Sequence, residues 1–421
     1  MRTLCTYVLL LACAAVSFAG PTRKQVAPSP ADESRDTIIF PGGCVPASWK
    51  AFFGKLDAVL AYGDTDVKIL HMGGSHVQGG MLTGRLREDL LSMRSGIDGS
   101  FGLVFPFSAS RTNTPTFYTS RASGKWASVK NTDREPSRRL GLTGMAITAE
   151  SLDAKVTLRA VPRDMPAFSS GFDQVQVCGY PAGYARDSAS KCPSVILPGG
   201  KKLGPESVPE DSLYKFYLPA LTDTVAIACP LGFTLTGVRL LNYHHGVTVL
   251  AAGVNGASLV SWAACADLPR DIERERPDMV ILAVGINDAA GNSFDPELFK
   301  SRYNALLKNI LEYNPDCAVL FVTNNDSARR IRTGRKRYAY RTNPNGAVAR
   351  RAFLELGELW NAGVWDLFEI MGGEGSIDSW KDRGLARADR VHFTPEGYYV
   401  LGDLLFNALM DSYMKYREAL R

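Results

Sequence analysis

The chain has 421 residues, of which 45% are hydrophobic and 22% charged, and its formal net charge is +5. This is the composition of a globular protein with a sizeable core, and it argues against a disordered, fibrous or disulfide-dense chain. The mild positive charge does not by itself imply nucleic acid, and no internal apolar run reaches the length of a membrane span.

The N-terminus stands apart. Met1-Arg2 supplies one positive charge, Leu4–Val16 is apolar, and Ser17-Phe18-Ala19 suits cleavage before Gly20. Residues 1–19 therefore read as an export signal, which implies a periplasmic, outer-membrane-associated or secreted protein. Leu10-Leu11-Ala12-Cys13 also resembles a bacterial lipobox, so a lipid anchor at Cys13 stands as an alternative. Residues 20–45, with Pro, Ser and charge concentrated in Pro21–Asp36, read as a linker. The remaining cysteines are Cys44, Cys178, Cys192, Cys229, Cys265 and Cys317. Cys178 and Cys192 flank a Gly/Pro/Ser-rich loop and are the expected disulfide pair, with buried free thiols as the alternative. No spacing resembles a metal site.

Ser48–Tyr62 has helical periodicity. Val67–Leu70 is a short buried-strand pattern, Gly73-Gly74 permits a tight turn, and a helical pattern begins at Met81 and ends near Met93. This strand–turn–helix would lift the Ser75 hydroxyl to the C-terminal edge of a sheet. After Ile97-Asp98-Gly99 the texture changes. Phe101–Tyr118 is aromatic and turn-rich, and short strand-like runs follow as far as Leu241, which predicts an inserted all-β, sandwich-like domain over 98–245. An α/β rhythm then returns. Strands are predicted at Val247–Ala251, Met279–Val284, Ala318–Thr323 and Val364–Phe368, with helices over Ala257–Glu275, Pro296–Tyr313, Ala347–Asn361 and Pro395–Tyr416. The expected fold is a three-layer α/β/α domain with a parallel sheet, built discontinuously from 46–97 and 246–421.

Each strand end of that sheet carries a polar or glycine-rich signature: Gly73-Gly74-Ser75-His76, Gly253-Val254-Asn255-Gly256-Ala257-Ser258, Gly285-Ile286-Asn287-Asp288 and Asp389-Arg390-Val391-His392. Ligands in open α/β sheets bind outside the carboxyl ends of the strands, so these loops should converge. A serine needs a base to take its proton, an imidazole serves near neutral pH, and a carboxylate on its other nitrogen fixes the tautomer.

GGSH, GVNGAS, GIND and DRVH resemble, in order and spacing, the four blocks of SGNH/GDSL hydrolases. The resemblance implies Ser75 as nucleophile, His392 as general base and Asp389 as its orienting carboxylate. It implies oxyanion donors from the N–H groups of Ser75 and Gly256 and the side chain of Asn287. Most members have Asp where this chain has Gly74. His76 and Asp288, beside these residues, and Asn325 are candidate substrate contacts. Phe233–Val238, just before GVNGAS, resembles the inserted β-domain of bacterial peptidoglycan O-acetylesterases. The implied activity is that of a carboxylic ester hydrolase, an exported serine esterase removing O-acetyl groups from a carbohydrate or peptidoglycan through an acyl-enzyme. No cofactor or metal is implied, and no nucleic-acid partner. A lipase, thioesterase or acyltransferase on the same triad is the alternative, as is a glycan-binding protein with a degraded site.

Two features lie outside those blocks. Trp126, Phe117 and Tyr118 could stack on sugars or pack in the core. Arg329, Arg330, Arg332, Arg335, Lys336, Arg337 and Arg341 form a basic run. It reads either as a solvated loop or as a clamp for an anionic glycan, with Arg335 and Arg337 as candidate contacts.

Overall fold

The computed structural model describes residues 23–160, 171–181, 192–207, 212–335 and 337–421. The expected export signal and Cys13 lie outside these residues, as does Lys336.

The first unit opens with strand β1 (Ile38–Ile39), helix α1 (Ala47–Ala61), strand β2 (Asp66–Gly73), the single turn α2 (Ser75–Gln78) and helix α3 (Met81–Leu91). Helix α1 buries Trp49, Phe52, Phe53, Leu56, Val59 and Leu60, the i, i+3, i+4, i+7 stripe of an amphipathic helix. The segment expected as a linker is partly built into the domain. Lys24 N–H donates to Asn407 Oδ1 at 2.8 Å, and Asn407 Nδ2 returns a bond to the Lys24 carbonyl. Further on, Trp365 Nε1 donates to Asp36 Oδ1 at 2.9 Å and β1 joins the central sheet. Local polarity suggested a linker, but these long-range partners are invisible to composition.

The insert contains β3 (Gly102–Val104), β4 (Thr119–Ser123), β5 (Trp126–Lys130), β6 (Met145–Ala149), β7 (Lys155–Arg159), β8 (Phe172–Tyr180), β9 (Ser194–Ile196), β10 (Lys202–Leu203), β11 (Leu213–Thr222), β12 (Thr224–Ala228) and β13 (Thr234–Leu241). They form two antiparallel sheets, ordered β10-β9-β12-β7-β4 and β11-β8-β13-β6-β5, with β3 on β13. The two ends of the insert meet where Val247 N–H donates to the Asp98 carbonyl at 2.7 Å. Gly246 makes that approach feasible: its φ is +149°, and a Cβ there would lie 1.9 Å from the Asp98 oxygen. Cys178 and Cys192 are free thiols, as are the other described cysteines, so the expected disulfide is corrected. Phe117 and Tyr118 are buried and pack with Phe101, so they belong to the core.

Beyond the insert come β14 (Gly246–Gly253), α4 (Leu259–Ala263), α5 (Leu268–Glu275), β15 (Met279–Ala283), α6 (Pro296–Tyr313), β16 (Ala318–Val322), β17 (Ala328–Gly334), β18 (Arg337–Thr342), α7 (Gly346–Leu359), β19 (Gly363–Trp365), α8 (Leu367–Ile370), α9 (Ser376–Asp382) and α10 (Pro395–Glu418). The helix predicted over 257–275 is two helices. Pro269, whose ring suits a helix start but not an interior, stands in the first turn of α5. The basic run is not a loop but the antiparallel pair β17–β18. Its β-branched and aromatic positions, Ile331, Thr333, Tyr338 and Tyr340, were outweighed by charge in the sequence reading.

The central sheet runs β1-β19-β16-β15-β2-β14, parallel except for β1. Alternate residues of β2 enter opposite cores: Val67 and Ile69 pack on the side of α1, α3 and α10, while Leu70 and Met72 pack with α4, α6 and α7. The second core is continuous with that of the insert.

Candidate active site

Three strands end in step. Gly73 of β2 stands opposite Gly253 of β14 on one side and Ala283 of β15 on the other. The residues after those ends are Ser75, Gly256 and Asn287, so parallel register alone brings them to one edge.

Ser75 Oγ lies 2.8 Å from His392 Nε2, and His392 Nδ1 lies 2.9 Å from Asp389 Oδ2. An ionised carboxylate only accepts hydrogen bonds, so Asp389 requires the proton on Nδ1 and leaves Nε2 as the acceptor facing Ser75. The loop is shaped by Asp389 itself, whose Oδ1 accepts the N–H groups of Val391 and His392, each at 3.0 Å. Burial would raise the Asp389 pKa, but these N–H groups and the imidazole outweigh it and hold the carboxyl below its ordinary value.

Asn287 Nδ2 donates to the Ala257 carbonyl at 2.9 Å, which uses one of its two hydrogens and fixes the direction of the other. Gly256 has φ +82°, a left-handed conformation that strains residues with a Cβ. Gly74 has φ −100° and is not strained. A Cβ there would lie 3.2 Å from Asn287 Nδ2 and 3.4 Å from the Ala257 oxygen. The side chain absent at position 74 would therefore neighbour the Asn287 amide.

The sequence of residues 233–400 matches the model of the GDSL-like lipase/acylhydrolase family. The chain carries a GDSL-like acylhydrolase domain. That is the domain of a carboxylic ester hydrolase. The matched stretch includes Gly256, Asn287, Asp389 and His392 but not Ser75, which the insert separates from them in sequence. No curated protein matches the chain. In fold, a solved peptidoglycan O-acetylesterase aligns with 88% of this chain and 98% of its own at 22% identity, with a TM-score of 0.72. A lipase/acylhydrolase from Enterococcus faecalis aligns with 40% of this chain and 78% of its own at 22% identity and TM-score 0.30. A family two carbohydrate esterase from Cellvibrio japonicus aligns with 72% and 99% at 11% identity and TM-score 0.27.

Around this centre lie further polar residues, some of them expected at the substrate. Asn325, expected at the substrate, is buried; its Nδ2 donates to the Asp326 and Val391 carbonyls at 2.8 and 3.1 Å and braces the histidine loop. Asp288 accepts the Leu259 N–H with both oxygens, each at 3.2 Å, and so caps α4; burial pushes its pKa up to about 6. His76 shares a 2.8 Å hydrogen bond between Nδ1 and Tyr398 Oη, and its ring lies 5.2 Å from that of His392. Burial, reinforced by His392, lowers its pKa to about 3, so it stays neutral at physiological pH. A cavity of about 40 Å³ lies beside His76, bounded by His71, Ile286, Asn325 and Phe393 among others. Arg335 and Arg337 sit at the far end of the β17–β18 hairpin.

Gln78 was missed. It is buried, its Oε1 accepts the Asn255 N–H at 2.6 Å, and its Nε2 donates to the Asn113 carbonyl at 2.9 Å. One amide thus ties the serine turn, the Gly256 turn and the insert together. Its spacing three residues after Ser75 was visible, but its partners lie far off in sequence.

Proposed function

We propose that the chain is an exported serine esterase that removes O-acetyl groups from a carbohydrate of the peptidoglycan type. The observation that carries this reading is the hydrogen-bonded series Ser75–His392–Asp389 beside Asn287 and Gly256. Ser75 Oγ attacks the ester carbonyl carbon while His392 Nε2 takes its proton. The oxygen that gains charge meets the N–H groups of Ser75 and Gly256 and the free Asn287 N–H, donors each typically worth about 3 kcal/mol. Collapse expels the sugar oxygen, which receives the proton from His392, and leaves an acetyl ester on Ser75. Water then gives a proton to His392 and attacks; acetate departs and Ser75 recovers its hydrogen. Asp389 stabilises the imidazolium at each stage, and His76 with Tyr398 packs against the imidazole.

The acetylated-glycan substrate is supported by the likeness in fold to the peptidoglycan O-acetylesterase, which spans both the hydrolase domain and the insert. Export rests on the N-terminal sequence. Acetate release from O-acetylated peptidoglycan, with p-nitrophenyl esters of increasing chain length as a comparison, tests the reading. Release of acetate together with a sharp preference for the acetyl ester is the expected result. A preference for long acyl chains would replace the reading by that of a lipase or thioesterase.

A further inference from the structure

The hairpin β17–β18 stands alone as a two-stranded sheet. Such a ribbon gains little from its own pairing in water, and here its base is anchored to both catalytic loops. Ala328 N–H donates to the Arg390 carbonyl at 2.9 Å, two residues before His392. Arg329 donates to the Gly291 carbonyl at 2.8 Å and to Asn292 Oδ1 at 2.7 Å, just beyond Asn287. Arg329 is thus consumed in holding the hairpin.

None of the other arginines ties the hairpin to a catalytic loop; Arg332 Nε donates only to the Gly334 carbonyl within the hairpin, at 3.1 Å. The register sets Arg330 opposite Tyr340 and Arg332 opposite Tyr338, so these four side chains share one face. All four are exposed; Tyr338 and Tyr340 keep 52% and 38% of their surface open. The Arg330 guanidinium stacks 3.8 Å above the Tyr338 ring, and that of Arg390, from the histidine loop, stacks 4.1 Å above Tyr340. Cation and ring therefore alternate outward from the catalytic loop, and Arg335 and Arg337 continue the charge to the tip. Among the described residues, none of Arg330, Arg332, Arg335, Arg337 and Arg341 has an ion-pair partner.

We infer that this face binds a carboxylate-bearing glycan strand and feeds it to the adjacent site. Flat rings offer sugars an apolar platform, and planar guanidiniums match carboxylates in two-point hydrogen bonds. The same chemistry suits single-stranded nucleic acid. However, the ladder begins on the loop of an ester-cleaving centre, and nucleic acid carries no carboxylic ester. The inference deepens the proposed function and rests on it for the substrate, but binding can be tested apart from catalysis.

The test uses the full chain with Ser75→Ala, so that no acyl group is lost. Binding is measured to polygalacturonate, to neutral glucomannan and to oligo-dT, at low and high salt. Polygalacturonate should bind at least tenfold tighter than glucomannan at low salt, and the preference should fade as salt screens the charges. R332Q/R335Q/R337Q should abolish the preference. Y338A/Y340A should weaken polygalacturonate binding severalfold even at high salt, with thermal melting checking the fold of each variant. Equal binding to the two glycans, indifference to both sets of substitutions, or tighter binding of oligo-dT would overturn the inference. Hydrolysis of p-nitrophenyl acetate by the chain with Ser75 is measured alongside. Its failure would reject the esterase reading and leave the binding result standing.

Discussion

At the scale of single residues, the site rests on side chains that hold one another in place. Asn287 shows how. One of its N–H bonds is committed to the Ala257 carbonyl, which fixes the amide, and in the proposed mechanism the other meets the oxyanion. Asn287→Ala should lower kcat by about a hundredfold, close to 3 kcal/mol, with little change in KM, because the lost bond forms mainly in the transition state. A loss confined to KM would remove Asn287 from that role. Asp389→Asn should cost at least as much. The amide can keep the turn through its oxygen, but its NH₂ would face Nδ1 and favour the wrong tautomer. Rates on p-nitrophenyl acetate check both. The candidate residues Ser75, Gly256, Asn287, Asp389 and His392 were all legible in four short motifs. Gln78 and the task of Asn325 were not, because a buried amide is read only through its partners. Gln78→Ala would take the acceptor from the Asn255 N–H, a bond at the partly exposed edge of the site worth about 1 kcal/mol. It should lower kcat about tenfold while the protein stays folded; an unchanged kcat would make Gln78 purely structural.

At the scale of elements, strand β1 shows how an edge can depend on pH. Asp36, just before it, is 1% exposed and accepts the Trp365 indole N–H. Burial pushes its pKa up to about 7, against the pull of the indole bond and of Arg23. The unfolded chain releases this proton near pH 4. Between about pH 4 and 7 the folded state therefore holds more protons, and stability must fall as pH rises through that window. Asp36→Asn keeps the acceptor for Trp365 and removes the ionisation. The melting temperature should decline less between pH 5 and pH 8 in the variant, by a few degrees; parallel declines would show that Asp36 is not responsible. Strands and helices of the sheet were legible because their apolar periods are strong, as in the fully buried Ala318–Val322. Strand β1 was hidden in a polar segment and has two residues, too few to show a period. The break between α4 and α5 turned on Pro269 alone, and the hairpin on strand-forming positions set among many charges.

At the scale of the molecule, the insert and the hydrolase layers share a core. Leu70 and Met72 of β2, Leu142 and Val238 of the insert, and Phe299 and Phe353 of the outer helices belong to one buried cluster. The chain should therefore unfold in a single cooperative transition, although its sequence divides into two textures. Calorimetric and van't Hoff enthalpies should agree; two separated transitions would mean that the insert folds as an independent unit. The two textures were legible, since alternating strands and α/β rhythm have different periods. Their common core was not, because it depends on how Asp98 and Gly246 are brought together.

The central claim is that Ser75, activated by His392, attacks an ester. It is tested most directly by exposing the chain to a fluorophosphonate, which reacts with activated serines, and mapping the modified peptide by mass spectrometry. The label should sit on Ser75, with stoichiometric loss of hydrolysis of p-nitrophenyl acetate, and His392→Ala should suppress the labelling. A label on another residue with activity lost, or full activity with Ser75 modified, would contradict the claim.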